Sequence, residues 1–208
     1  MRSAQDFDRY YETSDPWGIS KYRFRDRGLR RLIGSYVFGR AVLELGCGEG
    51  HLTQSVFSDA RAVTGVDISS VAISRAEARG LPNARFQVAD FLDIPFIGYD
   101  VIAAIECLYY LSPAEQDAVL DKVATEHRGK PFVLCVPIIG GKYPTHPGVM
   151  RAFARHGMAP VGSYNLTIRS DTPGRRALAM ALKLMPLGHL LADRVPEELV
   201  YQRCYVTS

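Results

Sequence analysis

The chain has 208 residues, 47% of them apolar and 23% charged, the profile of one folded domain and not of a disordered or fibrous chain. Lys and Arg number 25 against 22 Asp and Glu, a net charge of +3, too small by itself to argue for nucleic acid. Cys47, Cys107, Cys135 and Cys204 lie far apart without a C-x-x-C pair, which excludes a disulfide scaffold or a structural zinc site and points to a reducing compartment.

Residues 1–38 read as helical, broken at Asp15-Pro16-Trp17-Gly18, and are expected to form a lid or cap. The first residues lack an apolar signal core, and no run approaches the roughly 20 apolar residues that span a bilayer, so a cytoplasmic location is expected. From residue 41 strands and helices alternate. The first strand, 41–45, ends in the glycine cluster Gly46-Cys47-Gly48-Glu49-Gly50, and a helix follows over 51–57. A second strand, 61–66, ends at Asp67, and Ser69 is placed to cap a helix running to Arg79. A third, 84–88, ends at Ala89-Asp90. The fourth, 99–105, is nearly all apolar, as a strand buried on both faces should be.

Ser112-Pro113-Ala114-Glu115 then opens a helix with a capping box and a proline at its first position. A fifth strand covers 131–136. This alternation implies a parallel sheet with helices on both faces. Two late strands, 159–169 and 199–207, flank a helical insert at about 173–192 that is interrupted at Pro186-Leu187-Gly188. One domain is expected over 1–208, with a donor-binding core at 40–136 and an acceptor-side half at 137–208.

The chemistry centres on Leu43-Glu44-Leu45-Gly46-Cys47-Gly48-Glu49-Gly50. Glycines directly after a first parallel strand let the backbone approach a ligand and take turn angles closed to other residues. The next helix offers its positive end. The spacing is G-x-G-x-G, not the G-x-G-x-x-G of dinucleotide binders, and no Walker pattern is present. Asp67, at the tip of the second strand, is placed to accept hydrogen bonds from both hydroxyls of a ribose. Asp90, at the tip of the third, is placed to meet an adenine amino group while Phe91 packs on the ring. Any one of these is a common turn or cap. Three together at the carboxyl ends of successive strands point to one ligand.

Residues 43–50, Gly65-Val66-Asp67-Ile68-Ser69, Ala89-Asp90 and Tyr99-Asp100-Val101-Ile102 resemble, in order and spacing, the motifs of class I S-adenosyl-L-methionine-dependent methyltransferases. The resemblance implies a Rossmann-like, mostly parallel seven-stranded sheet flanked by helices, with its last strand antiparallel. It implies that Glu44, Gly46, Cys47 and Gly48 surround the methionine part of the donor. Asp67 would hold the ribose with Ile68 beside it, and Ala89, Asp90 and Phe91 would frame the adenine. Ile105 and Glu106 would lie beneath the sulfonium. A narrower resemblance, to the NodS N-methyltransferases of chitooligosaccharide amines, rests on Asp15-Pro16-Trp17 and on Glu106-Cys107-Leu108-Tyr109-Tyr110-Leu111. The insert from 172 to 194 is longer than in that family.

This makes a small-molecule acceptor the leading expectation, an amino sugar or oligosaccharide amine first and a hydroxyl second. An RNA acceptor and a non-catalytic donor-binding protein rank lower. Glu106 is the first candidate to take the amine proton, followed by Tyr109 and Tyr110. Trp17 and Tyr11 are candidate lid aromatics near donor and acceptor, and Arg25 is the candidate partner of the donor's carboxylate. His146, assigned to the loop after the fifth strand, is a candidate acceptor contact. His51 is read as a first-turn helix residue. The five histidines are dispersed, so no metal site is expected. The apolar stretch 175–185, basic at its start, is read as covering the sheet end or a dimer contact, with a lipid surface as the alternative.

Overall fold

The computed structural model describes residues 3–208; the first two residues of the cap expected over 1–38 lie outside the described residues. The chain begins with α1 (Ala4–Tyr10) and α2 (Arg23–Val37), then runs through β1 (Ala41–Leu45), α3 (His51–Val56), β2 (Ala62–Asp67), α4 (Ser70–Glu77) and β3 (Ala84–Val88). β4 (Val101–Ile105), α5 (Pro113–Glu126) and β5 (Phe132–Pro137) complete the parallel part. α6 (His146–Arg155), β6 (Pro160–Ile168), α7 (Pro173–Leu184), α8 (Gly188–Ala192) and β7 (Val200–Thr207) finish the fold.

The seven strands form one sheet in the order β3-β2-β1-β4-β5-β7-β6. β1 to β5 pair in parallel, and β7 runs antiparallel to both β5 and β6. Side chains alternate across the pleat, so each strand feeds two cores. Leu43, Ile102, Ala104, Phe132 and Leu134 pack on one face against Val119 and Val123 of α5 and Phe153 of α6. Val42, Val101, Ala103 and Val133 pack on the other against α2 and α3.

Burial divides the expected cap in two. α2 buries Leu29, Ile33 and Val37 in the sheet core, at about 1.5–3 kcal/mol for each side chain. It is a core helix. α1 buries none of its residues, and segment 3–22 meets the rest of the molecule chiefly through buried Tyr11 and half-buried Ile19.

One helix went unanticipated: α6, which begins at His146. Thr145 caps it by accepting from Gly148 N, and Pro147 stands in its first turn. Gly148 weakens the local propensity, and Val149 and Phe153, four apart, supply the burial that decides the matter. Among the described residues no helix is long and apolar enough to cross a membrane.

Candidate active site

From β1 the chain moves outward to β2 and β3, whereas β4 returns on the other side of β1. At such a reversal the loops leaving the carboxyl ends diverge and open a crevice. The glycine turn after β1 and the turn after β4 face each other across it. A Cβ added at Gly46 would stand 2.6 Å from Cβ of Cys107, and one at Gly48 would stand 2.6 Å from Oη of Tyr11. Both glycines hold left-handed φ values, +67° and +52°, which strain other residues. The crevice widens into a cavity of about 970 Å³, at the upper end of small-molecule pockets, roughly 300–1,000 Å³.

On the β1–β3 side, Asp67 is buried and lines the cavity. Its Oδ2 accepts from Gly48 N and its Oδ1 from Ser69 N, each at 2.9 Å. An ionised carboxylate has about four acceptor positions, so acceptor capacity remains for a ligand. Burial holds the carboxyl above its ordinary range. Cys47, Ile68 and Phe91 also line the cavity. Asp90 lines it while its Oδ1 accepts from Leu92 N at 2.9 Å. Ala89 does not line it, and its N–H is bonded to the Asp67 carbonyl. Glu44 is likewise set back behind the turn. It is buried, accepts from Thr53 Oγ1 at 2.5 Å, and is pushed up to about 8 by burial.

Across the crevice, Ile105 and Glu106 end β4, and Glu106 takes a left-handed φ of +59°. This is a strained conformation for a non-glycine residue, and the Glu106 N–H donates to the Cys135 carbonyl. Glu106 Oε1 accepts from Gln202 Nε2 at 2.7 Å, and Oε2 accepts from Tyr109 Oη at 3.3 Å. Burial lifts its carboxyl to about 7. The Tyr109 phenol is pushed far above its ordinary value, first by burial and then by the Glu106 charge. Tyr109 is therefore a donor across the accessible pH range.

Aromatic rings build the wall beyond. Tyr109 and Tyr110 lie 4.6 Å apart, Tyr143 stands edge-on to Tyr109 at 5.0 Å, and Trp17 is 5.1 Å from Tyr11 and 6.4 Å from Tyr110. Arg25 lines the cavity, but its Nη2 lies 2.8 Å from Asp26 Oδ1, so its guanidinium is already paired. His146 stands apart, as a correction to its loop assignment. It opens α6 outside the cavity lining, bonds Tyr205 Oη at 2.9 Å and stacks on that ring.

Polar ties hold segment 3–22 over the cavity. Asp8 accepts from Ser69 Oγ at 2.6 Å, and Arg75 donates to the carbonyls of Glu12 and Thr13. Buried Glu49 accepts from Asp15 N at 2.9 Å and from Arg75 Nη1 at 2.6 Å. Among the described residues, Asp15, Glu49 and His51 bring one possible ligand atom each within 4.8 Å of one another. Arg75 already pairs the Glu49 carboxylate, and Arg79 donates to the His51 ring at 2.9 Å.

Sequence reading missed Gln202, which is 96 positions from Glu106 along the chain. Its one signal is a neutral amide beside Arg203 in the middle of a largely apolar strand, Val200 to Val206. Tyr143 and Glu49 left no signal at all.

Residues 42–126 match the family model described as a methyltransferase domain. Nodulation protein S of Azorhizobium caulinodans is 28% identical over 110 residues, covering 50% of this chain and 53% of that protein. The chain thus matches about half the length of that curated relative. The crystal structure of the N-methyltransferase NodS from Bradyrhizobium japonicum, in complex with S-adenosyl-L-homocysteine, superposes with a TM-score of 0.69 at 20% identity, over 98% of this chain and 95% of that one. The 1,6-didemethyltoxoflavin-N1-methyltransferase of Burkholderia thailandensis also gives 0.69, at 16% identity over 98% and 85%. Over residues 42–126 the chain thus matches a methyltransferase domain, and over almost its whole length it has the fold of these methyltransferase structures, NodS among them.

Proposed function

We propose that the chain transfers a methyl group from S-adenosyl-L-methionine to an amine of a small molecule, a saccharide amine being the acceptor to try first. The residues fit this donor. Gly46, Gly48 and Asp67 line the same wall of the cavity, and the Asp67 carboxylate there can accept from a ligand hydroxyl. When bound, the donor supplies an electrophilic methyl group that needs no further activation.

The protein's share is alignment, exclusion of water and an unprotonated nucleophile. An alkyl amine with a pKa near 10 costs about 4 kcal/mol to deprotonate at pH 7, at 1.36 kcal/mol per unit. The observation that carries the reading is Glu106, a carboxylate held by Gln202 and Tyr109 at the tip of β4, in the same cavity as the glycine turn. With its carboxyl near 7, it takes the amine proton on Oε2 far more readily than an ordinary carboxylate. Tyr109 remains protonated and steadies that oxygen. Trp17, Tyr11 and Tyr110 line the cavity, where aromatic rings exclude water and favour a cationic centre.

The test is calorimetry with S-adenosyl-L-homocysteine, followed by labelled donor with a partly deacetylated chitooligosaccharide and mass spectrometry of the product. Absence of binding sinks the donor reading. Methylation confined to hydroxyls sinks the amine reading alone. A second reading, an RNA acceptor, draws on the exposed cations Lys21, Arg23, Arg27, Lys142 and Lys183 at the cavity mouth. It requires RNA binding that falls steeply with salt.

A further inference from the structure

α7 is apolar on two opposite sides. Its inner side buries Leu182 beside Ile168 and Ala192, and Ala179 and Leu182 line the cavity. At 100° per residue, Met180 and Leu184 point away from Leu182, and they are 58% and 78% exposed. The outer apolar surface continues through Met185, Leu187 and Leu191. Of the thirteen exposed large apolar residues in the described chain, six fall between Leu178 and Leu191. Scattered surface residues need no explanation, but a contiguous patch marks an interaction site.

The charges around the patch share one sign. From Pro173 to Ala192 there is no Asp or Glu, while Arg175, Arg176 and Lys183 are present. Arg175 is tied to Asp171. On adjoining α2, exposed Arg27 and Arg31 stand close enough for their charges to act on His189 of α8. Arg27, Arg31, Arg176 and Lys183 enter none of the ion pairs among the described residues.

We propose that the outer face of α7 and α8 docks on an anionic phospholipid bilayer, with Met180, Leu184 and Leu187 entering the interface and the surrounding cations meeting lipid phosphates. Apolar side chains beside unpaired Lys and Arg are what an interfacial helix requires. A second copy of the chain is the poorer occupant. Two-fold pairing would press Arg176 and Lys183 of each copy toward their equivalents, with no carboxylate in α7 or α8 to meet them. Because α7 lines the cavity on its other side, docking sets the cavity mouth beside the lipid, where an acyl-bearing acceptor could enter. That corollary rests on the acceptor reading above, whereas the docking does not.

The test is co-sedimentation of the full chain with phosphatidylcholine vesicles, with and without phosphatidylglycerol, at low and high salt. The same assay uses a Met180→Glu/Leu184→Glu variant whose fold is checked by circular dichroism and by S-adenosyl-L-homocysteine binding. Both substitutions lie on exposed positions outside the cavity lining. The expected result is binding to the anionic vesicles alone, weakened by salt and reduced at least about tenfold in the variant. The proposal is overturned by no binding at low salt, by equal binding to neutral vesicles, or by unchanged binding of the variant. It is also overturned if ultracentrifugation finds a dimer that the variant dissolves, since the face then pairs two copies. The vesicle assay involves no methyl transfer, so its failure and a failure of the enzymatic reading are separately visible.

Discussion

At the scale of single residues, Asp67, Glu106 and Glu44 are three buried carboxylates with different fates. Asp67 keeps free acceptor positions toward the cavity, so Asp67→Ala should weaken S-adenosyl-L-homocysteine binding by about tenfold to a hundredfold, the worth of charge-assisted hydrogen bonds at about 1.5–3 kcal/mol. Calorimetry reads it, with Asp67→Asn as a variant that preserves the fold. Glu106 must be ionised to accept a proton, and burial sets its carboxyl near 7. Transfer should therefore rise with pH through about 7, and Glu106→Gln should lower the rate about a hundredfold and erase that limb of the profile. Glu44 contributes nothing to the cavity lining, and its raised value gives a stability prediction. Its folded carboxyl, near 8, exceeds the ordinary 4.5. Its stabilising contribution is thus complete below 4.5 and disappears as pH rises through about 8. In the absence of donor, Glu44→Gln should flatten the fall in melting temperature across that window. All three carboxylates stood out in the sequence because each sits at or near the end of an apolar run. Their different surroundings did not, since Thr53, Gln202 and Gly48 reach Glu44, Glu106 and Asp67 only through the fold.

Among the elements, α1 and α2 adjoin in sequence but are held by different forces. α2 is fixed by Leu29, Ile33 and Val37 in the core, whereas α1 depends on Asp8, Glu49 and Arg75. Segment 3–22 buries far less apolar surface than α2 does, so the two should open separately. Hydrogen exchange in Glu49→Ala should rise about tenfold over residues 3–22, with α2 unchanged, matching the loss of about one to two net hydrogen bonds. The strands and most helices were legible because period and capping agreed: Ser69 and Ser112 cap as their sequences imply. α6 was not, because its first turn carries a proline and a glycine and its apolar pair is decided by tertiary burial. The single cap over 1–38 failed for the converse reason. Helical pattern alone does not say whether an apolar stripe meets the sheet or hangs over its edge.

For the molecule as a whole, the seven-stranded topology was readable from the order of its motifs, and the crevice follows from the reversal between β1 and β4. The position of β7 was less accessible. Inserting it antiparallel between β5 and β6 brings Gln202 to Glu106, and a linear reading has no measure of that proximity. No covalent bridge holds the fold: Cys47, Cys107, Cys135 and Cys204 are all buried as free thiols. Reductant should shift the melting temperature by less than about 1 °C in calorimetry, in contrast to the several kcal/mol lost when a native disulfide is cut. The placement of Trp17, the sole tryptophan in the sequence, has one more consequence. Set among Tyr10, Tyr11 and Tyr110 in the segment that polar ties and ring contacts hold over the cavity, the indole is a built-in optical reporter. Its emission maximum and its quenching by added iodide track how often that flap lifts, with no label attached.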